Sequence, residues 1–305
     1  SIAGGLVGSN SGAVSNAYAT GDVSAIGSMG GLVAINTGTI ADGYYDSDTS
    51  GQSDTDKGAP LTTAQLQSGG LPSGFAAPGW ATGAGLYPYL ESFYPDGVQA
   101  IIGTAYTASL DSAAGGSVAV YAHGEQLGVS GVGANGYYYI AANAGTADAA
   151  TGMGATVTLG GDAYASGLNY ADYQTVSGGN IVSENVQAGM VGIASSQSSL
   201  SAVAADFGAG NWSDIFSHIG QRDVYVNAQG TFTVDEALSG GLVQITDAQG
   251  DLTIAAPITV GAGRALKLHA YGSLTIDAAV TAPDNSAVTL TYADGGAGDY
   301  GFGLQ

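Results

Sequence analysis

Two stretches of this chain repeat each other at a fixed spacing, and that constrains the fold more than any other feature. Asp251-Leu-Thr-Ile-Ala-Ala returns 22 positions on as Ser273-Leu-Thr-Ile-Asp-Ala, and Ala265-Leu-Lys-Leu returns at the same offset as Ala287-Val-Thr-Leu. Around them runs a ladder of apolar pairs at i and i+2: Val224/Val226, Phe232/Val234, Val243/Ile245, Leu252/Ile254, Ile258/Val260, Leu266/Leu268, Leu274/Ile276 and Val288/Leu290. Side chains two apart share one face of a strand, so each pair marks a half-buried strand. Gly230, Gly240-Gly241, Gly250, Gly261, Gly263 and Gly272 fall between the pairs, too often for helices and where sharp corners are needed. One coil of two or three such strands cannot bury its own Leu, Ile and Val; stacked coils about 4.8 Å apart can. The period predicts a parallel β-solenoid whose outer positions, such as Gln244, Thr253, Thr275 and Thr289, are small and neutral.

A second repeat has a different length. Gly4-Gly-Leu-Val-Gly-Ser-Asn-Ser-Gly-Ala-Val-Ser-Asn-Ala-Tyr returns 26 positions later as Gly30-Gly-Leu-Val-Ala-Ile-Asn-Thr-Gly-Thr-Ile-Ala-Asp-Gly-Tyr. In a coil of this kind Leu6 and Val14 are expected in the core, Asn10 and Asn36 in a stacked amide ladder, and Tyr18 and Tyr44 stacked on one another. The GGLVG…N.G…Y order resembles the GLUG repeat of large bacterial adhesins.

From residue 46 to 97 the pattern breaks. Asp46-Ser-Asp-Thr-Ser-Gly-Gln-Ser-Asp-Thr-Asp is an acidic loop, and Pro60-Leu-Thr-Thr-Ala-Gln-Leu-Gln reads as a turn or two of helix capped by Thr62 or Thr63. Pro72, Pro78, Pro88 and Pro95 forbid long regular elements after it. The order YYDSDTSGQS…LTTAQL…W…LYPYL resembles the tail that follows GLUG repeats. That resemblance implies a cap in which Trp80, Tyr87, Tyr89, Leu90, Phe93 and Tyr94 cover the last rung.

Residues 98–175 carry longer alternating runs: Gly116-Ser-Val-Ala-Val-Tyr-Ala-His, Gly136-Tyr-Tyr-Tyr-Ile and Ala155-Thr-Val-Thr-Leu. They are separated by turn signals at His123-Gly124-Glu125, Ala134-Asn135-Gly136 and Gly160-Gly161-Asp162. A small β-sandwich with an Asn-Gly hairpin is expected, and the order resembles Ig-like or prealbumin-like modules inserted in adhesins. Its loops would be the recognition surface.

From residue 176 the solenoid restarts. Ser198-Ser-Leu-Ser-Ala-Val-Ala-Ala-Asp-Phe before Gly208 reads as a serine-capped helix, packed on a rung by Trp212, Ile215, Phe216 and Ile219. The L-x-I-x-A coils that follow resemble the filamentous-haemagglutinin family of secreted adhesins, which implies export through a partner outer-membrane transporter. The whole chain is therefore expected to be all-β: GLUG-type rungs in 1–45, an acidic loop and aromatic cap or linker in 46–97, the inserted sandwich in 98–175, and a haemagglutinin-like solenoid in 176–305.

Composition narrows the function classes. Four basic residues (Lys57, Arg222, Arg264, Lys267) stand against 25 acidic ones, a formal charge of −21, which argues against a nucleic-acid or anionic-lipid partner. Cysteine is absent and glycine counts 52 of 305 residues, which suits a bacterial surface protein better than a secreted disulfide-built module. No run of 18 apolar residues is present, and Ser1-Ile-Ala-Gly-Gly lacks the basic start of a signal peptide. The apolar ends suggest a segment of a longer repetitive chain, or a boundary without structural meaning.

Little in the chain points to catalysis. His123, His218 and His269 are far apart, and there is neither an HExxH motif nor a G-x-S-x-G elbow. Asp235-Glu236 and Asp247/Asp251 could be offered as paired carboxylates of a polysaccharide-active β-helix. Only Arg264 and Lys267 are near them in sequence to hold an anionic sugar, so solvated turn acids are the better reading. A candidate Ca²⁺ loop places Asp46, Asp48, Ser50 and Asp54 at EF-hand positions 1, 3, 5 and 9, yet position 12 is Lys57 instead of glutamate. That leaves a partial calcium loop or an acidic turn. Gly295-Gly-Ala-Gly-Asp puts Asp299 one residue early for an RTX nonapeptide. The sequence thus predicts a non-enzymatic extracellular adhesin segment whose partners are neighbouring repeats or identical subunits, an unidentified surface or glycan ligand, and the transporter. The alternatives are a structural spacer or self-assembling filament and, third, a polysaccharide-active enzyme.

Overall fold

The computed structural model describes residues 1–148, 151–159, 166–172, 174–208, 222–247 and 249–292. It is all-β with parallel stacked sheets forming a β-solenoid. The chain divides into two compact units, one of residues 1–118, 128–148 and 175–185, the other of 119–127, 149–174 and 186–305.

The second unit contains the long ladder. From Asp223 on, each coil has three short strands, and each strand pairs in parallel with its equivalent one coil on. Phe232–Val234, Leu252–Ile254 and Leu274–Ile276 make one face, and Leu238–Gly240, Ile258–Val260 and Val280–Thr281 the second. Asp223–Ala228, Val243–Asp247, Ala265–Ala270 and Ala287–Thr291 lie on the third. The 22-residue period is the register of the last coils, where Leu252 faces Leu274, Ile258 faces Val280 and Leu266 faces Val288. Earlier coils keep the pairing while varying in length: Val224 faces Val243 and Leu238 faces Ile258.

Strand alternation determines the core. On Leu252–Ile254, Leu252 and Ile254 are fully buried while Thr253 between them is not, and Phe232, Val234, Val243, Ile245, Ile258, Leu266 and Leu268 join the same cluster. Each such side chain contributes roughly 1.5–3 kcal/mol on leaving water, and nearly all of it depends on the adjacent coil. A helix, Leu200–Phe207 (here αA), is capped by the Ser199 side chain on Ala202 N. Leu200, Val203, Ala204 and Phe207 turn into the core. Trp212, Ile215, Phe216, Ile219, His218, the Gly160–Asp162 turn and the Gly295–Asp299 run lie outside the described residues.

The first unit begins with two coils of the 26-residue repeat. Ile2–Gly4, Val7–Asn10 and Ala13–Ala19 pair in parallel with Ser28–Gly30, Val33–Asn36 and Thr39–Asp46, with Val7 opposite Val33 and Tyr18 opposite Tyr44. The amide ladder forms, as Asn10 Nδ2 donates to Asn36 Oδ1 at 2.9 Å. Leu6, expected in the core, is 49 % exposed, whereas its repeat mate Leu32 is fully buried. Leu32 has stacked chain on both sides, since Leu6 N donates to Leu32 O at 2.9 Å and Leu32 N to Lys57 O at 3.1 Å, whereas Leu6 is covered only on the Leu32 side. Gly31 is required here, because a Cβ would stand 2.3 Å from the buried Tyr45 ring.

The stretch 98–175 supplies antiparallel pairs, as its alternation predicts. Val98–Tyr106 pairs with Tyr137–Asn143, and Met153–Thr158 with Ser166–Ala171. A two-residue His123-Gly124 turn, both residues at positive φ (51° and 78°), links Ser117–Ala122 to Glu125–Gly131. The Asn-Gly turn also forms, closed by Gly136 N on Gly133 O, but it is not a hairpin. The strand after it pairs with Val98–Tyr106, and the strand before it with Ser117–Ala122. The segment also has no edge of its own at residue 175, because Ser166–Ala171 pairs in parallel with Met190–Ser195 and continues the long ladder. A strand with a free edge is completed by the next one available, so pairing runs on past the change in sequence character.

Candidate functional site

The acidic loop is held by hydrogen bonds to its own backbone and to Gly31, Thr63 and Tyr87 outside it. Asp46 is fully buried and caps a one-turn helix, Ser47–Ser50, through Oδ1, which accepts from Asp48 N and Thr49 N. Its other oxygen accepts from Thr63 Oγ1 at 2.7 Å and Tyr87 Oη at 2.6 Å. Asp48 Oδ2 accepts from Thr63 N, Ser50 Oγ from Gln52 N, and Asp54 Oδ2 from Gly31 N. The acidic loop of the sequence thus contains a helix turn that occupies Oδ1 of Asp46, while Thr63 and Tyr87 occupy Oδ2. Among the described residues no group of three His, Asp or Glu side chains converges as a metal site. The helix expected after Pro60 is present as Thr63–Leu66, with Thr62 and Gln65 forming a capping box.

The carboxylates considered for catalysis serve turns between rungs. Asp235 accepts from Ser201 N at 2.9 Å and from Ser201 Oγ. Burial works to raise its pKa, and the serine hydrogen bonds outweigh burial and hold it below the usual carboxylate value. Asp251 Oδ1 accepts from Ser273 N at 2.7 Å, one coil on. Asp247 corrects the expectation of a solvated acid. It is fully buried, and its Oδ1 accepts from Gln249 N and Gly250 N, because the tight corner aims two backbone donors inward. His123 Nδ1 lies 2.9 Å from Asp206 Oδ1 on αA, and Asp206 Oδ2 accepts from Tyr170 Oη at 2.7 Å. His269 sits on the ladder opposite Thr246 and Thr291.

Aromatic side chains of the first unit assemble a site. Tyr18 and Tyr44 share a register but do not stack on one another. Both rings lean on Phe75, at 6.2 and 5.9 Å between centroids, and Tyr18 also meets Trp80 at 6.1 Å and Tyr87 at 6.1 Å. Phe75 and Trp80 are in contact at 4.4 Å, Tyr87 meets Tyr139 edge-on at 4.8 Å, and Tyr89 meets Tyr94 edge-on at 6.0 Å. Beside this network lies a groove of about 260 Å³ walled by Tyr18, Trp80, Tyr89, Phe93, Tyr94 and Tyr139. Most of its walls are fixed: Tyr18 Oη donates to Pro88 O at 2.5 Å and Tyr94 Oη to Ala141 O at 3.3 Å. Burial, with a smaller contribution from Tyr94, pushes the Tyr18 phenol up to about 12. Burial also raises Tyr139 above the ordinary phenol range. The sequence placed Trp80, Tyr87, Tyr89, Leu90, Phe93 and Tyr94 together as a cover. It gave no sign that Tyr139, from a strand about fifty residues on, would close the wall.

A second concavity, about 300 Å³, lies on the outward face of the ladder in the other unit, lined by Asn169, Tyr225, Asn227, Gln244 and Thr246. No helix among the described residues is long and apolar enough to cross a membrane. No family model matches the chain, nor does any curated protein or solved structure.

Proposed function

We propose that the chain is a segment of a large secreted bacterial surface adhesin, a β-solenoid that presents binding surfaces outside the cell without performing chemistry. The observation that carries the reading is the in-register parallel stacking of the coils, each burying its aliphatic face on the next and offering small neutral side chains outward. Such a stack lengthens by addition of rungs and needs no further core. The GLUG-like and haemagglutinin-like repeat patterns point the same way, as does a charge of −21, which keeps a surface polymer soluble. Export through a partner transporter and end-to-end association with neighbouring repeats belong to the same proposal.

The alternative is a spacer or filament subunit in which stacking itself is the role. The ranks Thr233, Thr253, Thr275 and Ser239, Thr259, Thr281 favour it, because they give two faces no group that selects a ligand. The test uses antibodies raised against the folded chain on intact producer cells. Surface labelling together with blocked attachment is expected. Labelling without blocking moves the spacer ahead, and no labelling of intact cells with labelling after permeabilisation overturns the extracellular assignment.

A further inference from the structure

We propose that the aromatic groove of the first unit binds an uncharged pyranose oligosaccharide. The walls are flat aromatic faces, and two of them have unused polar atoms. The Trp80 indole N–H and the Tyr89 hydroxyl make no hydrogen bond among the described residues, while the hydroxyls of Tyr18, Tyr87, Tyr94 and Tyr139 are engaged. Phe93 stands at the rim with 73 % of its surface exposed, which leaves its ring open to a ligand in the groove. A ligand that fits must bring apolar faces to stack on the rings, and donors and acceptors at its edge for the indole and phenol. A sugar ring does both, since its C–H faces are apolar and its rim is hydroxylated.

The electrostatics narrow the class. No charged side chain lines the groove, and the chain carries −21, so uronic or sulfated polymers would be repelled without any cation to hold them. A quaternary ammonium suits an aromatic cage, but it has no acceptor for the Trp80 N–H and leaves the Tyr89 hydroxyl idle. A proline-rich peptide supplies acceptors to the indole N–H and the phenol O–H but no donor to the phenol oxygen, which a sugar hydroxyl supplies. The groove, about 260 Å³, is smaller than the roughly 300–1,000 Å³ of most small-molecule sites. The groove has room for one ring at a time along an open surface, as fits a site that grips part of a longer glycan. The assignment deepens the adhesin reading by naming a ligand class and relies on that reading only for where the glycan comes from.

The experiment is calorimetric titration of the purified full chain with neutral oligosaccharides (gluco-, manno-, galacto- and xylo-hexaoses), a uronic-acid hexamer, choline and a proline decapeptide. Tryptophan fluorescence is followed in a Trp212→Phe background. Expected is saturable binding of at least one neutral hexaose with a change in Trp80 emission. Binding should weaken at least tenfold in Trp80→Ala, about threefold or more in Phe93→Ala, and a few-fold in Tyr89→Phe. Phe93 is exposed, so its variant folds normally and its loss of affinity reports on the groove. Absence of binding by every neutral sugar at millimolar concentration overturns the assignment. So do undiminished affinity in both Trp80→Ala and Phe93→Ala, and tighter binding of the uronate, choline or peptide. These outcomes are read on the purified chain and are distinct from failure of the surface role, which is read on cells.

Discussion

Leu268 and Lys267 are adjacent on one strand and should respond to truncation in opposite ways. Leu268 is 1 % exposed and lies between Ile245 on the coil before and Leu290 on the coil after; Lys267 points outward from the same strand. Leu268→Ala removes three carbons from a site whose neighbours are held by backbone pairing at the strand spacing of about 4.8 Å. They cannot slide along the stack to close the gap. Buried leucine truncations cost about 2–5 kcal/mol, with the upper part of the range where the site cannot collapse, so about 3–4 kcal/mol is expected. Lys267→Ala loses solvated methylenes and one exposed charge, and should stay within about 0.5 kcal/mol. In a unit of this size each kcal/mol moves the midpoint by roughly 2–4 °C, so Leu268→Ala should melt about 10 °C lower. Urea and thermal unfolding by circular dichroism measure both variants. Hydrogen exchange should locate the loss in Val243–Asp247 and Ala265–Ala270. A one-residue register slip exchanges the two faces; if Lys267→Ala proves the costlier change, or Leu268→Ala is silent, the stacked-coil account is refuted.

The first unit supplies further tests. Asn10→Ala removes donors to Asn36 Oδ1 and Thr39 O and the acceptor for Gly12 N, and should cost about 1–3 kcal/mol in urea unfolding; a cost near zero would mean that water replaces the amide ladder. Tyr87→Phe leaves the buried Asp46 carboxylate short of one donor and should cost about 1–3 kcal/mol, detected as faster exchange of the Ser47–Ser50 amides. Gly31→Ala forces a methyl into the Tyr45 ring and should cost about 1–3 kcal/mol, with near-ultraviolet dichroism reporting the displaced ring. Tyr18 and Tyr137 have folded pKa values of about 12, raised from 10.0, Tyr18 by burial with a small addition from Tyr94, Tyr137 by burial against an opposing hydrogen bond from Gln67. Because the fold favours the neutral phenols, this contribution to stability is complete below pH 10 and disappears as pH rises towards 12. Tyrosinate absorbance that rose with a single midpoint near 10 while the protein stayed folded would contradict the burial.

Much of the solenoid was legible because its information is local and repeated. Offsets of 22 and 26 residues became the observed pairings Leu252–Leu274 and Val7–Val33, and the apolar pairs became the core. Caps were legible for the same reason: Thr62 with Gln65, and Ser199 before Leu200, are signals written within four residues. What depended on distant partners was hidden. The Asn135-Gly136 turn has a normal turn sequence, yet the strands beside it pair elsewhere, a choice made by Val98–Tyr106. Asp247 looked like any acidic corner, and only the fold buries it. Tyr18 and Tyr44 align by repeat, but Phe75, from an irregular stretch, is the ring both of them meet. The groove gathers residues from three separate stretches, so its rings were visible singly and its shape was not.

The ladder keeps its register where αA is inserted. Met190–Ser195 pairs residue for residue with Asp223–Ala228, although the offset there is 33 and the next coil needs only 19. The coil that carries αA is thus 14 residues longer than the next (33 against 19), with no backbone partner shifted on this face. Loop length is entropically inexpensive, and this coil is tied to the next at fixed points: Ser198 O accepts from Thr233 N at 2.9 Å and Asp235 accepts from Ser201 N at 2.9 Å. A coil of the stack can therefore vary in length and carry a helix while its neighbours keep their register, provided that it still fills the core as Leu200, Val203, Ala204 and Phe207 do.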